Sequence, residues 1–256
     1  DNLAIELRVT DALADATSRY LYDAGGKRVR PMLTILTSQL GDGATANVVG
    51  GATALELTHL GSLYHDDVMD GADVRRGVPS AHSVWGNNIA ILTGDLLFSR
   101  ASQIMARYGE QAMQLQADTF ERLVLGQMHE TVGPTDADDP VEFYLQVLAD
   151  KTGSLIAASA QAGIIFSNGP VEFEKPLHQR AGALNTETAV EHQDAYIAVG
   201  IGQEIGRIDR GAVGILRDRE TRPVEMSLDC KPVRLVGDQM QIDGDQQRPR
   251  LRHQRH

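Results

Sequence analysis

The chain has 256 residues, 42% of them hydrophobic and 23% charged, with a formal net charge of −11. That length and apolar content suffice for one large domain with a buried core, and the acidic balance excludes a general nucleic-acid binder, which needs a basic face. The single cysteine, Cys230, rules out an intrachain disulfide and points to a reducing, cytoplasmic setting; there is no apolar run of about 18 residues and no signal-peptide pattern at Asp1-Asn2-Leu3.

In chain order, the first chemical signal is Gly25-Gly26-Lys27-Arg28-Val29-Arg30-Pro31. The glycines let backbone approach a ligand, and three cations follow within four residues. The bland reading is a basic loop between helices. The P-loop spacing is absent, so nothing here supports nucleotide hydrolysis. Gly41-Asp42-Gly43 predicts a loop, and the apolar stretch from Val48 to Leu63 predicts a helix.

That helix runs on into Asp66-Asp67-Val68-Met69-Asp70. Positions i and i+4 share a helix face, so Asp66 and Asp70 align while Asp67 stands one residue round. Such a pair suits Mg²⁺, which takes oxygen ligands and commonly uses one or two carboxylates plus substrate phosphates. Taken alone, the spacing fits a solvated acidic face equally well. Arg75 and Arg76 follow in the loop Gly71 to Gly77, where guanidinium forks can take phosphate oxygens.

Further on, Trp85 with Gly86-Asn87-Asn88 predicts a loop anchor before the next helix. Helices are expected from Asn87 to Met105, Gln111 to Glu130 and Val141 to Phe166, with loops at Gly133-Pro134 and Gly169-Pro170. Asp136 to Pro140 reads as a solvated loop and helix start. No alternating strand pattern competes, so the expected fold is an all-α bundle around a central cavity.

In order and spacing, Gly25-Gly26-Lys27-x-x-Arg30-Pro31, His59, Asp66-Asp67-x-x-Asp70 and Arg75-Arg76 resemble the trans-isoprenyl diphosphate synthases, or polyprenyl synthetases. Gly94-Asp95-Leu96-Leu97, Gly126-Gln127 and Lys151-Thr152 fall where that family carries similar residues. The resemblance implies an isoprenoid synthase-type helical bundle, usually a homodimer. It also implies a Mg²⁺-dependent prenyltransferase that condenses isopentenyl diphosphate with an allylic diphosphate into a longer trans-polyprenyl diphosphate. By position, Asp66 and Asp70 hold Mg²⁺ with Asp67 supporting them. Arg75 and Lys151 bind the allylic diphosphate, while Lys27, Arg30, His59 and Arg76 form a metal-free cradle for isopentenyl diphosphate. Thr152, with Lys151, lies near the departing group. One turn before the aspartates, Gly61 and Ser62 are small where short-product relatives carry aromatics, which implies a deeper pocket and a long-chain product. Such a product is lipidic, so membrane contact is expected to be transient at most.

The resemblance covers about residues 1–178. After that the second aspartate-rich motif, its preceding Phe-Gln and the following lysine are missing. The chain from 179 to 256 is therefore expected to be an unmatched, partly disordered tail, consistent with a frame change, leaving the bundle C-terminally incomplete and its activity in doubt. Two rival readings stand beside the enzyme. One is a non-catalytic regulatory subunit of a heteromeric prenyl synthase. The other is a metal-dependent phosphohydrolase built on His59, His65 and Asp66, although two histidines six apart fall on different helix faces.

Overall fold

The computed structural model describes residues 2–188, with side chains to 181. Among these residues ten α-helices follow in order: α1 (Asn2–Glu6), α2 (Ala12–Asp23), α3 (Val29–Thr37), α4 (Ala46–Met69), α5 (Ala81–Trp85), α6 (Asn87–Ala106), α7 (Glu110–Val132), α8 (Pro140–Leu148), α9 (Ser154–Phe166) and α10 (Glu174–Thr188). The all-α expectation holds, and each long predicted helix is present to within a few residues. Between α8 and α9 the helical path loosens into a π turn, Ala149–Gly153. One small exception to the helical reading is an antiparallel hairpin, β1 (Val74–Arg75) and β2 (Val78–Pro79). Two-residue strands are too short to show alternation, so periodicity cannot reveal them.

The helix starts follow ordinary capping chemistry. Asp11 accepts from the Ala14 N–H, Thr45 from Val48, and Asp139 from Val141 and Glu142 with Pro140 just inside the helix. Helix α4 is the centre of the bundle. It is buried on nearly every side from Val48 to Tyr64, the expected state of a helix apolar all round. It packs on α3, α6 and α9, and Leu55, Leu57, Leu60 and Tyr64 join Leu97, Ile104 and Leu155 in the main core. Tyr64 also ties α2 to α4: its hydroxyl donates to the Thr17 carbonyl and accepts the Leu21 N–H.

A second cluster, with Leu33, Ile156, Ile164 and Leu177, joins α3, α9 and α10. Here the backbones come close: Thr34 Oγ1 donates to the Ser159 carbonyl at 2.9 Å. A Cβ on Gly163 would stand 2.0 Å from Thr37 Oγ1 and 2.3 Å from the Thr34 carbonyl oxygen. Helix α10 continues through residue 178 without a break. The first ten residues of the expected tail, 179–188, are thus the end of that helix, and the rest of it lies outside the described residues, as does Cys230.

Because Gly163 faces backbone that cannot swing aside, Gly163→Ala is expected to separate α3 from α9 at a cost of about 2–3 kcal/mol. Denaturant unfolding monitored by circular dichroism would read this as a lower midpoint with an unchanged slope.

Candidate active site

Four polar pieces of chain, together with Leu123 of α7, line a cleft of about 500 Å³. The first is the turn into α3, which brings Lys27, Arg28 and Arg30. The second is one face of α4, where Glu56, His59, Ser62 and Asp66 recur at three- to four-residue steps. The third is the hairpin with Arg75 and Arg76, and the fourth is the π turn with Lys151 and Thr152. Every residue expected in the isopentenyl diphosphate cradle thus lines one cleft, as do Arg75, Lys151, Thr152, Asp66 and Ser62. Among the described residues six cationic side chains face two carboxylates, Glu56 and Asp66. His59 adds no charge, because burial and then Arg30 and Arg76 hold its pKa well below the ordinary histidine value. A cleft this cationic in an acidic protein calls for a multiply charged anion.

The three aspartates do three different things. Asp66 lines the cleft, and burial raises its carboxyl pKa, with Lys151 opposing and Asp70 reinforcing. Asp70 is exposed and closes α4, its N–H donating to the Asp66 carbonyl at 2.8 Å. Asp67 is fully buried, and its Oδ1 accepts from both Nε and Nη2 of Arg75 at 2.6 Å. This carboxylate therefore anchors the hairpin rather than facing the cleft. Among the described residues no three acidic, imidazole or thiol groups converge into a cage. Asp66 and Asp70 nonetheless suit Mg²⁺, which is content with two carboxylates when a ligand phosphate and water complete its shell.

Two cations are also committed elsewhere in the fold. Arg76 has φ 54° and Gly77 φ 79°, the pair of positive values a type I′ hairpin turn requires. Its Nη1 donates to the Leu21 carbonyl at 2.6 Å and to that of Gly25, closing the end of α2. Lys151 is ion-paired with Glu130 of α7 at 2.5 Å. Its place depends on Gly126, where a Cβ would stand 2.5 Å from the Lys151 nitrogen, so the π turn lies directly on α7. Single π turns inside helices are often found at functional sites.

Beneath Asp66 a separate, mostly apolar recess of about 200 Å³ is bounded by Ser62, His65, Phe98, Phe120 and Gln127. The Phe98 and Phe120 rings pack 4.5 Å apart. Gly61 is placed differently from the expected pocket floor. It faces α6, where a Cβ would lie 3.0 Å from the Phe98 ring and 3.1 Å from the Gly94 carbonyl oxygen. His65 turns to the same helix, 3.0 Å from the Ile91 carbonyl oxygen and 3.3 Å from Asp95. It does not join His59 in the main cleft, which leaves the phosphohydrolase reading without its histidine pair. The motif reading missed Glu56, Arg28 and Glu130. Glu56 had a signal, as a lone charge within the apolar run of α4; Glu130 had none.

The family model described as polyprenyl synthetase matches residues 11–184. The chain belongs to the polyprenyl synthetase family. It is 47% identical over 184 residues to a nonaprenyl diphosphate synthase of Mycobacterium tuberculosis, covering 71% of this chain and 54% of that one. It is 39% identical to heptaprenyl diphosphate synthase component 2 of Geobacillus stearothermophilus over 62% of this chain and 50% of the relative. The crystal structure of geranylgeranyl pyrophosphate synthase from Corynebacterium glutamicum, complexed with calcium and isoprenyl diphosphate, superposes with a TM-score of 0.64 at 41% identity, covering 72% of this chain and 56% of that one. This polyprenyl synthetase chain spans about half the length of the curated relatives it matches. The products in the relatives' names differ in length, so family membership does not fix a product here.

The neutral state of His59 has a thermodynamic consequence. Its folded pKa lies below its unfolded value of about 6.5, so the unfolded chain takes up the proton first and stability is lost as pH falls below about 6.5. Thermal unfolding between pH 7.5 and 5.5 should show a falling midpoint, with a shallower fall in His59→Gln.

Proposed function

We propose that this chain carries the paired diphosphate sites of a Mg²⁺-dependent trans-prenyltransferase, acting on isopentenyl diphosphate and an allylic diphosphate in isoprenoid biosynthesis. The observation that carries the reading is the cleft in which six cations face two carboxylates, one of them Asp66, on a polyprenyl synthetase scaffold.

Lys27, Arg30, His59 and Arg76 take the isopentenyl diphosphate by charge and N–H donation alone; neutral His59 still offers one N–H without adding repulsion. Arg75 and Lys151 take the allylic diphosphate. Arg75 is held rigid by Asp67, so it needs little ordering when the anion arrives. Lys151 exchanges its partner Glu130 for the anion. Asp66 and Asp70 are the residues that would hold Mg²⁺, which when bound stabilises negative charge on the leaving diphosphate. Thr152 stands beside Lys151, where its hydroxyl can donate to the departing group. The recess under Asp66, closed by Phe98 and Phe120, receives the hydrocarbon and keeps water from the allylic cation. Ser62 lines that recess, which keeps it as a product-length residue; Gly61 acts through the contact of α4 with α6.

The site is cytoplasmic on this reading, and exposed Leu92 of α6 with Leu125 and Met128 of α7 offers an apolar face for a homodimer. Among the described residues no helix is long and apolar enough to cross a membrane. A second reading, a subunit of a heteromeric synthase, draws on the relatives named as component 2 of a heptaprenyl diphosphate synthase.

The test combines binding and turnover. Isopentenyl diphosphate should bind without metal, and a farnesyl diphosphate analogue should bind with Mg²⁺. Asp66→Asn should weaken the second at least about tenfold and spare the first. Incubation with radiolabelled isopentenyl diphosphate, farnesyl diphosphate and Mg²⁺, then butanol extraction, separates the roles. Polyprenyl product assigns catalysis to this chain, and retained binding without product assigns it the subunit role. Absence of metal-free isopentenyl diphosphate binding would overturn the proposal.

A further inference from the structure

Arg28 lies between the two cradle cations of its motif, and the motif gives it no role. Its backbone is left-handed, with φ 53°, a conformation rare for a side chain with a Cβ and kept only where surrounding contacts demand it. Those contacts are specific. Arg28 Nη1 donates to Glu56 Oε1 at 2.9 Å, Nη2 donates to the Tyr22 carbonyl at 3.0 Å, and the guanidinium lies over the Tyr22 ring at 4.9 Å. Glu56 is 2% exposed on the most buried stretch of the central helix. A carboxylate withdrawn from water in that way is tolerated when an opposite charge meets it directly.

Arg28 and Arg76 also converge. A Cβ on Gly26 would stand 3.0 Å from Arg76 Cζ and 3.1 Å from Arg28 Nη1, so two guanidiniums crowd the same small space over the glycine. Among the described residues one carboxylate, Glu56, faces that pair. Two like charges at close range with a single counter-charge repel unless an anion joins them. Arg28 has five N–H donors, of which Glu56 and Tyr22 use two. Among the described residues no other acceptor takes the remainder, and the side chain lines the cleft.

We infer that Arg28 is a further diphosphate-binding cation of the cradle, paired with Arg76 across Gly26, and that Glu56 is the positioning residue that holds its fork in place. This inference rests on the cradle reading above. A purely structural alternative exists, in which the Glu56–Arg28 pair clips α4 to the end of α2. The two differ when both partners are removed together. A clip replaced by neutral groups leaves ligand affinity intact, whereas a lost ligand cation does not.

The experiment measures metal-free binding of inorganic pyrophosphate by calorimetry in chelator, with thermal unfolding in parallel. The full chain, Lys27→Ala, Glu56→Gln, Arg28→Gln and the double variant Glu56→Gln/Arg28→Gln are compared. Glu56→Gln is expected to lower the unfolding midpoint and, with the fork no longer held, to weaken pyrophosphate binding severalfold. The double variant is expected to regain the midpoint and yet bind pyrophosphate at least about tenfold more weakly. Parent-like binding by the double variant overturns the inference and leaves the clip. If the parent chain binds no pyrophosphate, or Lys27→Ala binds as the parent does, it is the cradle reading that fails. Should the double variant not regain its midpoint, Arg28→Lys decides: it keeps the pair with Glu56 and loses the planar fork, so severalfold weaker binding upholds the inference and unchanged binding overturns it.

Discussion

The ion pair between Asp67 and Arg75 fixes the cation side of the cleft. A fully buried carboxylate must be met by a partner, and both Nε and Nη2 of Arg75 reach one of its oxygens. That bond holds the hairpin against the end of α4. The tight turn then puts Arg76 in the left-handed region, from which its Nη1 reaches the Leu21 and Gly25 carbonyls. Those contacts in turn set the end of α2 and the glycine loop that carries Lys27 and Arg28. Two arginines adjacent in sequence thus connect three segments, and one buried aspartate makes the arrangement rigid.

The electrostatics of the cleft run against those of the chain as a whole. The protein carries a net charge of −11, yet the cleft gathers six cations and holds His59 neutral. Local concentration of one sign inside low-dielectric walls focuses the field on an entering anion. The cost of that concentration is contained by Glu56 and Glu130, which pair with Arg28 and Lys151. Neither acid belongs to the aspartate-rich motif, and both neutralise a cation that the motif reading leaves bare.

Much of the fold was legible from periodicity. The long helices carry their apolar residues at helical spacing, and caps such as Asp139-Pro140 mark where a helix begins. The candidate site was legible in its residue types and spacing, since Lys27, Arg30, His59, Asp66, Arg75, Arg76, Lys151 and Thr152 all reach one cleft. The π turn under Lys151 was not, because a looser helical turn leaves the apolar spacing of its flanks unchanged. Nor was the division of labour among the aspartates, since Asp66 and Asp67 differ by one residue in sequence and by burial in space.

By itself, then, the sequence determined the helices, the motif order and the sign of charge that each motif brings, all of which depend on neighbours within a few residues. The tertiary structure alone decided which charges pair. Glu56 meets Arg28 from 28 positions away, Lys151 meets Glu130 across 21, and Gly61 turns to α6 rather than to the recess. Such choices follow from which helix faces are pressed together, and that is settled by the packing of the whole core, which no local spacing records.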